Sequence, residues 1–202
     1  MPKYSQANRP LQVTTPLSPD TLLPLAFGGR EAISQLFDFQ LDLIAENAAD
    51  IAFDKLLGKP ISVSLQLLGG ETRTFSGICN RFTQRGRDTV FTAYELHMVP
   101  RLWLLTRQAQ SRIFQQLSVP DILKKVLAGV DVTWQIQGTF HPRDYCAQYR
   151  ETDFNFASRL MEEEGIYYYF THSDQGHKMV VANSPQSHPD LPGKSPIIYD
   201  AS

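Results

Sequence analysis

The chain has 202 residues, of which 42% are hydrophobic and 20% are charged, and its formal net charge at pH 7 is −2. This is the composition of a globular protein with one large or two modest domains, and its near-neutral charge provides no basic patch for nucleic acid or an anionic membrane, so we expect neither partner. No hydrophobic run approaches the roughly 20 residues of a membrane span, and the first residues lead into no apolar signal segment, so we expect a protein made in the cytoplasm without a signal peptide.

The first half of the chain alternates apolar and polar residues, which is the pattern of half-buried β-strands. The predicted strands cover residues 36–43, 61–67, 72–84 and 89–99. Asp50 is placed to cap a short helical turn over residues 53–57. One face of the last strand is predicted to carry Val90, Thr92, Tyr94, Leu96 and Met98. Antiparallel strands joined by short turns favour a small barrel or sandwich, which we expect over residues 1–100.

After residue 100 the sequence predicts helices between the strands. Ser118 is placed to cap a helix that continues to Ala128, with Asp121 completing a variant of the capping box. The predicted strands in this half cover residues 132–136, 144–149, 167–170 and 177–182. From Ser184 onward the chain is rich in proline and is expected to be a linker.

The most informative stretch is residues 149–170, which predicts a strand end, a capped helix and an aromatic strand. Thr152 suits the N-cap, Asp153 lies in the first turn where the helix dipole favours an anion, and Gly165 ends the helix. The residues at the spacing of one apolar face are Phe156, Ala157, Leu160 and Met161. The aromatic residues 167–170 are either a strand buried on both faces or the lining of an interface or carbohydrate groove.

Three glutamates, Glu162, Glu163 and Glu164, occupy the last turn of this helix. The dipole presents partial negative charge there, so each exposed carboxylate is expected to cost about 0.3–1 kcal/mol. Two explanations are open: a solvated helix end that Arg150 and Arg159 partly neutralise, or an ion pair with another subunit. Consecutive helix positions point about 100° apart, so the three carboxylates are not expected to converge on one catalytic cleft.

No catalytic motif is found in the sequence, whether a nucleophile elbow, a zinc-protease motif, a P-loop or a dinucleotide-binding loop. His172 and His177, with Asp174 between them, are too few for a metal site, and a solvated turn is expected. Cys79 and Cys146 are expected to be buried thiols and not a disulfide. We therefore expect no catalytic residue, no cofactor and no metal.

These residues resemble the VgrG family, the spike proteins of bacterial type VI secretion, over nearly the whole chain. The signature and possible interface residues are Tyr149, Arg150, Glu151, Asp153, Phe154, Arg159, Glu162, Glu163, Glu164 and Gly165. Further matching segments are residues 14–17, 29–31, 37–39, 57–60, 102–106, 113–115 and 119–123. The resemblance implies the non-catalytic hub portion of a spike that is made in the cytoplasm and then secreted through the type VI apparatus.

The resemblance also implies partners. The hub of this family is a homotrimer with two β-barrels per chain, and the resulting pseudo-sixfold ring matches a hexameric, Hcp-like tube protein. Baseplate components are further expected partners. Ejection of the spike is driven by contraction of the sheath.

The predicted fold class is α+β, mainly β: a small antiparallel β-barrel, then an α/β segment, then the start of a second barrel. The first hub barrel would cover residues 1–100, the α/β segment with two short helices 101–170, and a hairpin with the start of a second barrel or a linker 171–202. One rival hypothesis is a late-control or tail baseplate hub of a contractile phage, which shares this architecture. Another is a cell-wall hydrolase component, which would need two carboxylates in one cleft.

Overall fold

The computed structural model describes residues 4–187, and its largest element is an antiparallel sheet that curls into a half-barrel. Its six strands are β1 (Leu11–Thr14), β2 (Leu23–Arg30), β3 (Asp38–Glu46), β4 (Pro60–Gln66), β5 (Thr72–Arg87) and β6 (Phe91–Val99). Their order in the sheet is β1-β4-β5-β6-β3-β2. Alternation decides which side is buried: along β3, Phe39, Leu41 and Leu43 are at most 4% exposed, and the residues between them face solvent. The predicted α+β, mainly β fold is confirmed.

Two local predictions in this half are wrong. The 3-10 helix Phe53–Lys55 has Ala52 as its N-cap, and no side chain caps it, so Asp50 does not have the predicted role. Val90 is 44% exposed and precedes β6 instead of sharing its buried face. The reason is the turn: Oδ1 of Asp88 accepts the N–H groups of Val90 and Phe91 at 2.7 and 2.6 Å, which keeps Val90 in the turn.

The second half of the described chain forms two small sheets and two α-helices. Its elements are β7 (Ala109–Phe114), α1 (Val119–Val126), β8 (Val132–Gln135), β9 (Cys146–Thr152), α2 (Asp153–Glu163), β10 (Tyr167–Ser173) and β11 (Gly176–Ala182), with 3-10 helices at Arg101–Arg107 and Pro185–Ser187. β7 pairs with β9, and the second sheet has the order β10-β11-β8, in which β8 runs parallel to β11. Ser118 caps α1 by accepting the N–H of Asp121, as predicted.

Helix α2 has the predicted ends and the predicted buried face. The side chain of Thr152 accepts the N–H of Asn155 at 3.1 Å, and Gly165 follows the helix with a φ of +65°, which favours glycine. The four residues of the predicted apolar face, Phe156, Ala157, Leu160 and Met161, are at most 2% exposed. They belong to the hydrophobic core that continues into the half-barrel.

The β10–β11 hairpin packs against the half-barrel and makes the core continuous. Phe37, which is fully buried, lies 4.8 Å from the ring of Phe39 in a stacked arrangement and 5.1 Å from the ring of Phe170 edge-on. The backbone N–H of Ser34 donates to the carbonyl of Tyr168 at 2.8 Å. One end of the half-barrel is therefore covered by the hairpin.

The division at residues 100 and 170 stays a prediction. The hairpin that was expected to precede a second barrel pairs with β8 and contacts β5. The predicted linker begins with the 3-10 helix Pro185–Ser187, and its remainder lies outside the described residues.

Within residues 4–187, no helix is long and apolar enough to cross a membrane.

We predict that Leu160→Ala lowers the free energy of unfolding by about 2–5 kcal/mol, because the side chain is fully buried and its loss leaves a cavity. Asn155→Ala, on the exposed face of the same helix, is the control and should change stability by less than about 0.5 kcal/mol. Urea unfolding measures both variants. Equal losses would show that the assignment of the buried face is wrong.

Candidate functional site: the surface around helix α2

A buried ion pair anchors the start of α2. Asp153 is only 3% exposed, and Nη2 of Arg112 donates to its Oδ1 at 2.6 Å. Gln148 donates to the same oxygen at 2.8 Å, and Gln110 donates to Oδ2 at 3.3 Å. A buried carboxylate needs such partners to offset its loss of hydration. The signature residue Asp153 therefore fixes α2 to the β7–β9 sheet.

Arginines of the same chain neutralise the other end of α2. Arg143 donates to Glu163 and to Glu164, both at 2.7 Å, while Arg159 donates to Glu163 at 3.1 Å and to Glu151 at 2.7 Å. The hydrogen bond from Arg143 is the largest cause that holds the pKa of Glu163 below its ordinary value. Both arginines are partly exposed, so each pair contributes no more than about 1 kcal/mol.

The predicted neutralisation by Arg150 is wrong. Its guanidinium lies over the ring of Tyr149, 5.4 Å from the centroid, and within residues 4–187 it makes no ion pair with the three glutamates. Arg143 neutralises the glutamates instead. Its backbone N–H donates to the backbone carbonyl of Leu117 at 3.0 Å. No sequence signal indicated Arg143, because it lies in a loop about twenty residues before the helix end. Glu162 is exposed and has no such pair in the described chain.

Next to this charged region, one face of the β7–β9 sheet is apolar and exposed. We call it the outer face; its large side chains are Ile113, Tyr145 and Tyr149, which are 63%, 58% and 70% exposed. The alternate residues of β9, Cys146 and Gln148, point inward and are buried. Three large apolar side chains on one sheet face are typical of an interaction surface.

A β-bulge interrupts β9 next to Tyr149. On β9, Tyr149 and Arg150 together lie opposite the single residue Ser111 of β7. Arg150 has a φ of +52°, which is uncommon for a residue other than glycine, and its N–H donates to Oγ of Ser111 at 3.3 Å. Alternation with the inward residues Cys146 and Gln148 already points Tyr149 outward, and the bulge interrupts this alternation at Arg150.

The aromatic strand β10 is buried on one face and half-buried on the other. Its inward residues, Tyr168 and Phe170, are at most 6% exposed. Tyr167 and Tyr169 are half-buried, and their hydroxyls donate to the carbonyls of Ser184 and Ser187 at 2.7 and 2.9 Å. The hypothesis of complete burial on both faces is wrong for these two tyrosines, which hold the segment after β11 against the sheet.

The expectation that His172 and His177 lie in a solvated turn is also wrong. The side chain of His172 is 7% exposed, and both rings contact Phe37. In the described part of the chain, no three of the His, Cys, Asp and Glu residues are grouped so that they could hold a metal ion. Cys79 and Cys146 are buried and unpaired, as predicted, and burial raises the pKa of Cys79 to about 11.

Known proteins match this chain in sequence. Residues 30–202 match the family of the phage tail baseplate hub (GPD). The type VI secretion system spike protein VgrG1c of Pseudomonas aeruginosa is 40% identical over 199 residues, which cover 97% of this chain and 27% of that protein. The spike protein VgrG3 of Vibrio cholerae is 29% identical over 197 residues, which cover 92% of this chain and 19% of that protein. The chain thus spans less than a third of these relatives.

Solved structures match the fold. The E. coli c3393 protein, a type VI secretion component with structural similarity to the T4 tail proteins gp27 and gp5, has a TM-score of 0.76 and 26% identity, with 89% of this chain and 50% of that chain covered. The 43 kDa tail protein of prophage MuSo2 from Shewanella oneidensis has a TM-score of 0.54 and 17% identity, covering 77% of this chain and 48% of that chain. The second likeness concerns the fold alone.

We predict that Arg112→Met costs about 3–5 kcal/mol of unfolding free energy, because it leaves the carboxylate of Asp153 buried without its charge partner. Arg143→Met is the matched control and should cost about 2 kcal/mol or less, since it removes two exposed pairs of at most about 1 kcal/mol each. The two arginines are equally exposed, at 29% and 28%, but the carboxylate side chains of Asp153 and Glu163 are 5% and 38% exposed. Urea unfolding near neutral pH compares them, and similar losses would contradict the structural role of Asp153.

Proposed function

Because the chain belongs to the phage tail baseplate hub (GPD) family, we propose that it forms the first part of the hub of a type VI secretion spike. The observation that carries this proposal is the 40% identity to a type VI spike protein over 97% of the chain. The prophage tail protein shares the fold at only 17% identity, which favours the secretion role over the phage role. The protein would be expelled from the cell when the sheath contracts.

The proposed assembly is a homotrimer that sits on a hexameric, Hcp-like tube protein and contacts baseplate components. Three chains with two similar barrels each would present six equivalent positions, and this number matches the sixfold symmetry of the tube. The half-barrel described here would supply one of the two positions in each chain. The second would come from residues beyond those described.

We place the contact between protomers at the outer face. Ile113, Tyr145 and Tyr149 present large apolar groups to solvent, and tyrosine is enriched among the residues that dominate binding energy. The glutamates at the end of α2 are less suitable, since Arg143 and Arg159 already bind two of them within the chain. An ion pair with another subunit is therefore not needed to explain the acidic run.

The proposed role is structural and not catalytic. The hydrolase hypothesis requires two carboxylates that face one cleft. Asp153 is buried against Arg112, and Glu163 and Glu164 are bound by Arg143, so these acidic groups hold the fold together. This use of the carboxylates supports the structural role.

We predict that Tyr149→Ser combined with Ile113→Ser weakens trimer formation of the complete hub by about tenfold or more, because the pair removes most of the exposed apolar area of the outer face. Leu68→Ser, which changes an equally apolar and fully exposed residue in the turn between β4 and β5, is the control and should assemble normally. Light scattering over a concentration series measures both.

The outcomes separate two claims. A wild-type hub that stays monomeric would contradict the proposed trimer itself. A trimer that forms equally well with both sets of substitutions would contradict only the choice of the outer face.

The secretion role has its own test: the full-length protein should appear in the culture medium only when the sheath can contract.

A further inference from the structure

Two histidine rings lie in the layer between the β10–β11 hairpin and the half-barrel. His172 on β10 is directly opposite His177 on β11, and the ring centroids are 6.4 Å apart. The rings lie 5.1 and 5.6 Å from the ring of Phe37. The hairpin therefore meets the half-barrel through two titratable side chains as well as through apolar ones.

His177 is bound in a way that requires a neutral ring. The backbone N–H of Arg101 donates to Nε2 of His177 at 2.9 Å. A ring nitrogen accepts a hydrogen bond only when it carries no proton, and the protonated imidazole carries a proton on both nitrogens. Uptake of a proton by His177 therefore replaces this hydrogen bond with two opposed N–H groups.

His172 differs, because acceptors face both of its nitrogens. Nδ1 accepts the N–H of Ser76 at 3.1 Å, but the carbonyl oxygen of Ser76 also lies 3.2 Å from this nitrogen. Oε1 of Glu31 lies 3.0 Å from Nε2. Oxygen acceptors thus lie near both nitrogens of His172, whereas in the described chain no acceptor is bonded to His177. A proton on His177 would therefore have no acceptor to compensate for the hydrogen bond that it breaks.

The surroundings of His177 also disfavour a proton. The pKa of His177 is lowered to about 4, first by burial, then by the nearby His172 and to a smaller extent by Arg101. Asp131 acts in the opposite direction. The other charged groups on the elements packed around the pair include Glu31, Arg73, Asp174 and Lys178. Glu31 faces His172, Arg73 lies over Phe75, Asp174 accepts from Thr74, and Lys178 lies near Asp131.

We propose that His177 makes the closure of the hairpin on the half-barrel acid-sensitive: the hairpin is held most firmly while the ring is neutral and opens more often when the ring takes up a proton. The proton breaks the hydrogen bond from Arg101 and places a charge against the rings of Phe37 and Phe170. This inference does not depend on the proposed function. Its direction follows from linkage: the pKa of the closed state lies below the ordinary 6.5, so closing is fully favoured above pH 6.5 and is weakened as the pH falls toward 4.

Hydrogen exchange of the backbone amides of β10 and β11, corrected for intrinsic exchange, tests the proposal. Between about pH 7 and pH 4.5 the open-to-closed ratio of the wild-type hairpin should rise on the order of 100-fold, because the open form binds the proton more tightly. Amides of β5 and β6 should keep their protection. If they lose it together with the hairpin, the opening is global unfolding and the proposed switch is wrong.

His177→Gln is the informative variant, since the amide oxygen of glutamine can accept the N–H of Arg101 but does not titrate. Its hairpin should stay protected at both pH values. His141→Gln, which changes an exposed histidine in a loop, is the control and should show the pH dependence of the wild type. A His177→Gln hairpin that opens in acid as the wild type does would contradict the proposal.

An NMR titration of the His177 ring in the wild-type protein gives a second test that needs no variant. The ring should titrate well below 6.5, and the open-to-closed ratio of the hairpin should rise as the pH falls from 6.5 toward that midpoint. A midpoint near 6.5, the ordinary value for histidine, would overturn the proposal even if His177→Gln did not fold.

Discussion

The burial of Phe37 is the contact on which the rest of the structure depends. Its ring lies at the covered end of the half-barrel, where it contacts Phe39 from the sheet and Phe170 from the hairpin. Strand β5 approaches so closely there that a Cβ on Gly77 would lie 3.1 Å from Phe37 and 2.6 Å from Met98. Only glycine permits this approach without displacement of its neighbours. The half-barrel and the hairpin therefore share one core.

The charged residues of the signature act mainly within the chain. Arg112 and Asp153 join α2 to the β7–β9 sheet, and Arg143 and Arg159 neutralise the acidic end of the same helix. A short helix with both ends held by ion pairs supports the two-stranded sheet from behind, although such a sheet is marginal by itself. This support explains how a small sheet can present three exposed apolar side chains on a defined surface.

Much of the local structure could be predicted from the sequence, because its causes lie within a few residues. Four strands of the half-barrel, β3 to β6, follow from alternation, whereas the pattern does not predict β1, β2 or β7. Helix α2 follows from Thr152, Gly165 and its apolar spacing. The wrong predictions concern details of placement. Val90 lies in a turn held by hydrogen bonds to Asp88, and the 3-10 helix begins after Ala52, beyond the reach of Asp50 as its N-cap.

The sequence by itself determined most of the strands, the two α-helices, the buried face of α2 and the family resemblance, since these depend on periodicity, capping and motif order. The tertiary structure alone decided which distant groups meet. Arg112 reaches Asp153 across 41 positions, and His172 contacts Glu31 across 141. The bulge at Tyr149 and Arg150 likewise needs the opposite strand. Such contacts depend on how whole elements pack, and no local pattern encodes the position of a partner on another element.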